Sequence, residues 1–125
     1  MATITYTVTV ATGQNAFGAG TNKFFINGEV SPVLYLQEGN TYIFDTSDSS
    51  NASNQLLFSS TKDGTNTAGG VNYTNGVTVT GTAGTTGALI TIIVAPVRTV
   101  GAPVLFYYSA TTAGMGNTAQ TISPT

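Results

Sequence analysis

From Thr3 to Val10 the chain alternates without a break: Ile4, Tyr6, Val8 and Val10 fall on one side, Thr3, Thr5, Thr7 and Thr9 on the other. A period of two, with β-branched Thr on the wet side, predicts a half-buried strand. A Gly-rich turn is expected through Gly13–Gly20, then a short strand in NKFFI (residues 22–26). Asn27-Gly28 carries the chemistry of a tight hairpin or bend. Val33–Gln37 and Thr41–Asp45 are two further strands, joined around the turn sequence Glu38-Gly39-Asn40. Another strand is expected at Gln55–Ser59. Thr61–Gly76, rich in Gly, Asn and Thr, is expected to be a surface excursion. Val77–Gly81, Ala88–Val94, Val104–Ser109 and Ala119–Ile122 complete the set.

No apolar stripe of period 3.6 is long enough for a good helix. Gly and Pro punctuate the strands at intervals typical of a sandwich. The expected fold is all-β: a single Greek-key β-sandwich over residues 1–125, with eight or nine short strands in two antiparallel sheets packed face to face. The run LITIIV at Leu89–Val94 is apolar on both faces. It is expected to be a central, covered strand, the alternative being a subunit contact.

Composition narrows the chemistry. Charged residues make up 6% of the 125-residue chain, against roughly 25% in an average domain. Lys23, Lys62 and Arg98 are the only basic residues, which is too few for a phosphate-binding surface, so nucleic acid is not an expected partner. The hydrophobic share is 41%, yet no apolar run approaches the roughly 20 residues of a bilayer span, so no membrane partner is expected. The chain has no Cys and no His, which removes thiolates, disulfides, the commonest general base and the commonest metal ligand together. The start, MATITYTVTV, has no basic segment followed by an apolar core, so no signal peptide is expected. An uncharged, Thr-rich surface without an export signal fits a particle released by lysis, and fits a cytosolic protein as well.

Few side chains offer a site. In FDTSDSSN, Asp45 and Asp48 lie close together, a candidate calcium pair. The competing reading, an Asx-type turn at a strand end, is favoured because Asp and Ser form such turns by local hydrogen bonding. Asn51 and Asn72 open Asn-x-Ser/Thr triplets, which matter only in a secretory pathway. Six Tyr and six Phe could supply a sugar-stacking platform, although core strands claim them first.

The C-terminal stretch LFYYSATTAGMG and the middle strand NQLLF carry a further pattern. With YTVTVATGQNAFGAGTNKFFINGEVSPVLYLQEGNTYIFDTSDSSN before them, they make the chain resemble, nearly end to end, the cupredoxin-like domains in virion proteins of marine tailed bacteriophages of the cyanophage type. Metal-keeping members of that group look like His-Pro-Leu-x-Phe in the middle strand and Tyr-Tyr-Cys-x-x-His-x-x-Met-Gly at the end. The resemblance therefore puts the ligand positions at Asn54, Ser109, Thr112 and Met115. Three of the four ligands are replaced, and only the weak axial Met remains. A Ser hydroxyl does not ionise near neutral pH, and Asn and Thr oxygens are feeble copper ligands, so neither a cofactor nor a metal is expected.

What the resemblance implies is a fold and a setting rather than electron transfer. The expectation is a non-enzymatic virion structural protein, a decoration or cement protein on the capsid exterior. Its partners would be the major capsid protein or other virion proteins, and it could form homo-oligomers. An accessory neck, tail or fibre module that binds a host-surface glycan is the alternative, and a copper electron-transfer protein a distant third. The N-terminal strand and Thr61–Gly76 are the candidate contact segments, and Tyr107, Ser109 and Met115 are expected to pack.

Overall fold

A computed structural model describes residues 2–94 and 104–122 and contains ten strands among them. These are β1 (Thr3–Asn15), β2 (Gly18–Ile26), β3 (Glu29–Val30), β4 (Leu34–Gln37), β5 (Thr41–Asp45), β6 (Leu56–Ser59), β7 (Val77–Thr80), β8 (Leu89–Ile93), β9 (Val104–Ser109) and β10 (Asn117–Ile122). Single-turn 3-10 helices occur at Ser49–Asn51 and Gly64–Asn66. Six strands form one sheet in the order β3-β2-β1-β5-β8-β7, and four form the other in the order β4-β10-β9-β6. The two sheets face each other as a β-sandwich.

Alternation places the core. Val8, Phe24, Ile26, Phe44, Ile90 and Ile92 project from the larger sheet, and Leu34, Leu36, Leu56, Phe58, Leu105, Tyr107 and Ala119 from the smaller, into one buried cluster. Across the layer, Phe44 meets Phe58 edge to face with centroids 5.4 Å apart, a favoured aromatic geometry. The Ile4-Tyr6-Val8-Val10 side of β1 turns toward this core, while Thr3, Thr5 and Thr7 are exposed. Asn27 and Gly28 both take positive φ and close the β2–β3 hairpin, as their type I′ chemistry requires.

Three expectations need correction. The sheets are mixed, not antiparallel: β1 runs parallel to β5 and β10 parallel to β4. Successive strands β3, β4, β5 and β6 alternate between layers, so β4 and β5 come to lie beside non-sequential neighbours of the same direction, while β6 pairs antiparallel with β9. Residues 13–20 are not one long turn. β1 and β2 pair down to Asn15 and Gly18, leaving Ala16 and Phe17 at the tip, and an irregularity beside Gly13/Gln14 absorbs one residue. Gly18 and Gly20, both at positive φ, supply the twist that such a bulge needs. Thirdly, β3 adds a two-residue strand to the nine read from the pattern.

The run Leu89–Val94 holds β8, flanked by β5 and β7, with Ile90, Ile92 and Val94 buried. Its other face is not fully covered, since Ile93 is 56% exposed. The segment Thr61–Gly76 does run over the surface, but it is latched down. Tyr73 N–H donates to Phe58 O (2.7 Å), Asn66 Nδ2 to Ser109 O (2.9 Å) and Tyr108 Oη to Asn72 Oδ1 (3.2 Å). Gly64 lies against the Tyr108 ring so closely that a Cβ there would sit 2.4 Å from it. Tyr108, on the outer face of the smaller sheet, is buried as a result.

Candidate functional site

The four positions drawn from LFYYSATTAGMG and NQLLF occupy the end of β9, the loop that follows it and the approach to β6. Asn54 is set by a local turn in which its N–H donates to Asn51 O (2.9 Å), with Ser53 at φ 67° before it. Ser109 ends β9, paired with Leu56, and is fully buried. Three of the four come together. Ser109 Oγ donates to Asn54 Oδ1 (3.1 Å), and Thr112 Oγ1 donates to the same oxygen (2.8 Å). Ser109 Oγ in turn accepts the N–H groups of Thr111 (3.3 Å) and Thr112 (3.2 Å).

The result is a closed polar knot. One amide oxygen takes two hydroxyl donors, and one hydroxyl caps the loop that carries its neighbour. Met115 is fully buried and belongs to the hydrophobic core cluster. The donor set does not fit copper: the three polar groups are neutral oxygens already committed to one another, and the remaining thioether is the weakest ligand of a blue-copper set.

The loop after β9 is held by residues that the pattern did not single out. Lys23 is buried on β2 and its Nζ donates to Gly114 O (2.9 Å). Asn15 Nδ2 donates to the same carbonyl (2.9 Å), and Gly114 N–H donates to the Asp63 carboxylate, 3.1 Å from each oxygen. Met115 O accepts Phe24 N–H (3.0 Å) and Ser31 Oγ–H (2.9 Å). A cation and an anion thus hold opposite ends of the peptide units at Gly114. The available signal was a lysine flanked by strand residues in a chain with three basic residues in all.

Asp45 and Asp48 close two separate turns. Asp45 Oδ1 accepts both the N–H (3.0 Å) and the hydroxyl (2.6 Å) of Ser47. Asp48 Oδ2 accepts the N–H (3.0 Å) and the hydroxyl of Ser50, capping the first 3-10 helix. Those hydrogen bonds from Ser47 and Ser50 hold both carboxyls below their ordinary range. No group of three or more His, Cys, Asp or Glu side chains suited to a metal ion occurs among the described residues. Asn51 of the first glycosylation triplet is buried, its amide donating to Val8 O (2.8 Å). Asn72 of the second is exposed.

Two recesses among the described residues lie beside these loops. One of about 190 Å³ lies beside the knot, lined by Ser53, Asn54, Gln55, Thr82, Ala83 and Thr111. The other, of about 330 Å³, lies where the β1–β2 tip meets residues 62–63 and the outer side of β9 and β10. Set against family models, curated proteins and solved structures, the chain matches none.

Proposed function

We propose that this chain is a non-enzymatic structural protein of a tailed-phage particle, a decoration protein of the capsid exterior. It would be built on a cupredoxin-like sandwich whose metal site has become a hydrogen-bonded lock. The observation that carries this reading is the meeting of Asn54, Ser109 and Thr112 on one amide oxygen. Those positions were equated with ligands through motifs 55 residues apart in the chain, and ligands of one metal must converge. Their convergence supports the resemblance, and the virion setting comes with the resemblance.

The surface is compatible with such a role. Lys23 is buried and Lys62 is exposed, so these two contribute one surface cation; Arg98 lies outside the described residues. Apolar side chains are exposed at several places instead: Ile93 on the outer face of the larger sheet, Val79 at its β7 edge, Val33 and Tyr35 at β4. Contacts with the major capsid protein or another virion protein would bury such side chains. At roughly 25 cal/mol per Å² a few hundred Å² is a modest contact, which repetition over a lattice makes firm.

A cryo-electron-microscopy reconstruction of the source particle tests this directly. Density for the sandwich repeated over the icosahedral shell is the expected result. Density at the neck, tail or fibres would replace decoration with a host-contact role. Absence of the chain from the particle would sink the virion reading.

A further inference from the structure

We propose that the 330 Å³ recess at the β1–β2 tip is a binding site for a neutral saccharide, taking one pyranose ring. Its volume falls at the lower end of small-ligand sites. Its walls combine the two features a sugar requires. The apolar part comes from Phe106 on β9 and from Phe17 at the hairpin tip, which is 38% exposed. Five other aromatic rings are spent on the core, where Phe24, Phe44, Phe58, Tyr42 and Tyr107 are buried.

The polar part is small and unspent. Each oxygen of Asp63 accepts the Gly114 N–H, and a carboxylate has about four acceptor sites, so hydroxyl donors can still be received. Thr118 Oγ1 has no hydrogen-bond partner among the described residues, and Thr118 lies beside Phe106 in the β9–β10 register. Lys62 Nζ stands 5.4 Å from the centroid of Phe17 and forms no ion pair among the described residues. It can donate to ring or hydroxyl oxygens. By contrast Asn117 is committed, donating to Ser31 O (2.7 Å) and accepting Thr118 N–H (2.7 Å), and Tyr107 Oη is committed to Pro32 O.

The charges choose the ligand class. Asp63 and Lys62 are adjacent in the chain and opposite in charge, so the two together give the recess no net charge to favour a free anion or a free cation. A neutral polyhydroxylated ring meets both: its hydroxyls donate to Asp63 and accept from Lys62 and Thr118, while its C–H face lies on an aromatic ring.

The test is a titration of the isotope-labelled full chain with methyl glycosides of glucose, galactose, mannose and N-acetylglucosamine, followed by amide NMR, with glycerol as a polyol control. At least one glycoside is expected to give saturable shifts at residues 16–17, 62–63, 106 and 117–118, with a dissociation constant on the order of millimolar. Phe106→Leu and Thr118→Val, which keep the strand, are each expected to weaken that binding about tenfold while leaving the rest of the spectrum in place. The proposal is overturned if no glycoside gives saturable shifts there, if glycerol gives the same shifts, or if both variants bind as the parent does.

Discussion

At the scale of single residues, the polar knot makes a clear demand on stability. Ser109 is buried, donates one hydrogen bond and accepts two, so Ser109→Ala leaves Asn54 Oδ1 short of a donor and two N–H groups without their acceptor. Losing a buried partner in this way costs about 1–3 kcal/mol. A lower urea unfolding midpoint with the slope unchanged, the shift times the slope matching that loss, is the expected outcome. The same geometry makes the resemblance testable through chemistry. If these positions are replaced ligands, then Asn54→His, Ser109→Cys and Thr112→His together bring two imidazoles and a thiolate to the place of the knot, with the Met115 thioether kept on the same loop. The triple variant is expected to take up copper(II) with strong thiolate charge-transfer absorption, and the parent chain to show none. Colourless, weak uptake by a folded triple variant would break the equation of these positions with ligands. The turn aspartates add a pH signature. Asp45 is held low first by the Ser47 hydroxyl, then by the Ser47 N–H. Because its folded value lies below its unfolded one, its contribution is present above about pH 4 and fades as pH falls through the folded value. Ser47→Ala should raise the Asp45 value toward the ordinary one in a carboxyl NMR titration; an unmoved value would mean that the hydroxyl is not the cause.

At the scale of elements, what could be read in advance follows from what alternation encodes. Thr41–Asp45 and Val104–Ser109 have the bounds that the pattern assigned to them, because each is a short run with one face in the core. Residues 13–15 and 18–20 did not announce themselves as strand, since Gly-rich sequence has no side chains to alternate. There the pairing of β1 with β2 is set by the hairpin as a whole. The parallel pairs were equally hidden: which layer a strand joins is decided by core packing across the sandwich, not by its own residues. Within the candidate site, Asn54, Ser109 and Thr112 were legible only through the resemblance, for nothing in their local sequence links them. Lys23 and Asp63, which fix the same loop, are ordinary in sequence and distinguished only by what folds over them. The segment at residues 61–76 gives this scale its prediction. Gly64, at φ 53°, lies flat on the Tyr108 ring, so Gly64→Ala meets both backbone strain and an overlap that the ring cannot easily yield to. A loss of about 1–3 kcal/mol is expected, as for overpacking elsewhere. Limited proteolysis should then cut within residues 61–76 before the sandwich itself unfolds; cleavage no faster than in the parent would show that the segment is held independently of this contact.

At the scale of the whole molecule, the scarcity of charge decides how any attachment behaves. With three basic and five acidic residues the formal charge is −2, and Lys23 is spent inside on Gly114 O. Long-range steering toward a charged partner is weak for such a chain. A contact made by Thr-rich strand faces and by side chains such as Val79, Ile93 and Tyr35 depends instead on apolar burial and neutral hydrogen bonds. Salt separates the two cases: at 1 M the Debye length shrinks to about 3 Å, which screens surface ion pairs, whereas apolar burial is not weakened by it. If the chain decorates a capsid, it should therefore stay on purified particles through a wash in about 1 M sodium chloride and leave in a few molar urea, which solvates apolar and peptide groups. Sedimentation followed by gel analysis of pellet and supernatant reads this out. Release by salt alone would mean that the contact is carried by the few charges the chain has, and would move the attachment surface away from the apolar side chains of the sheet faces.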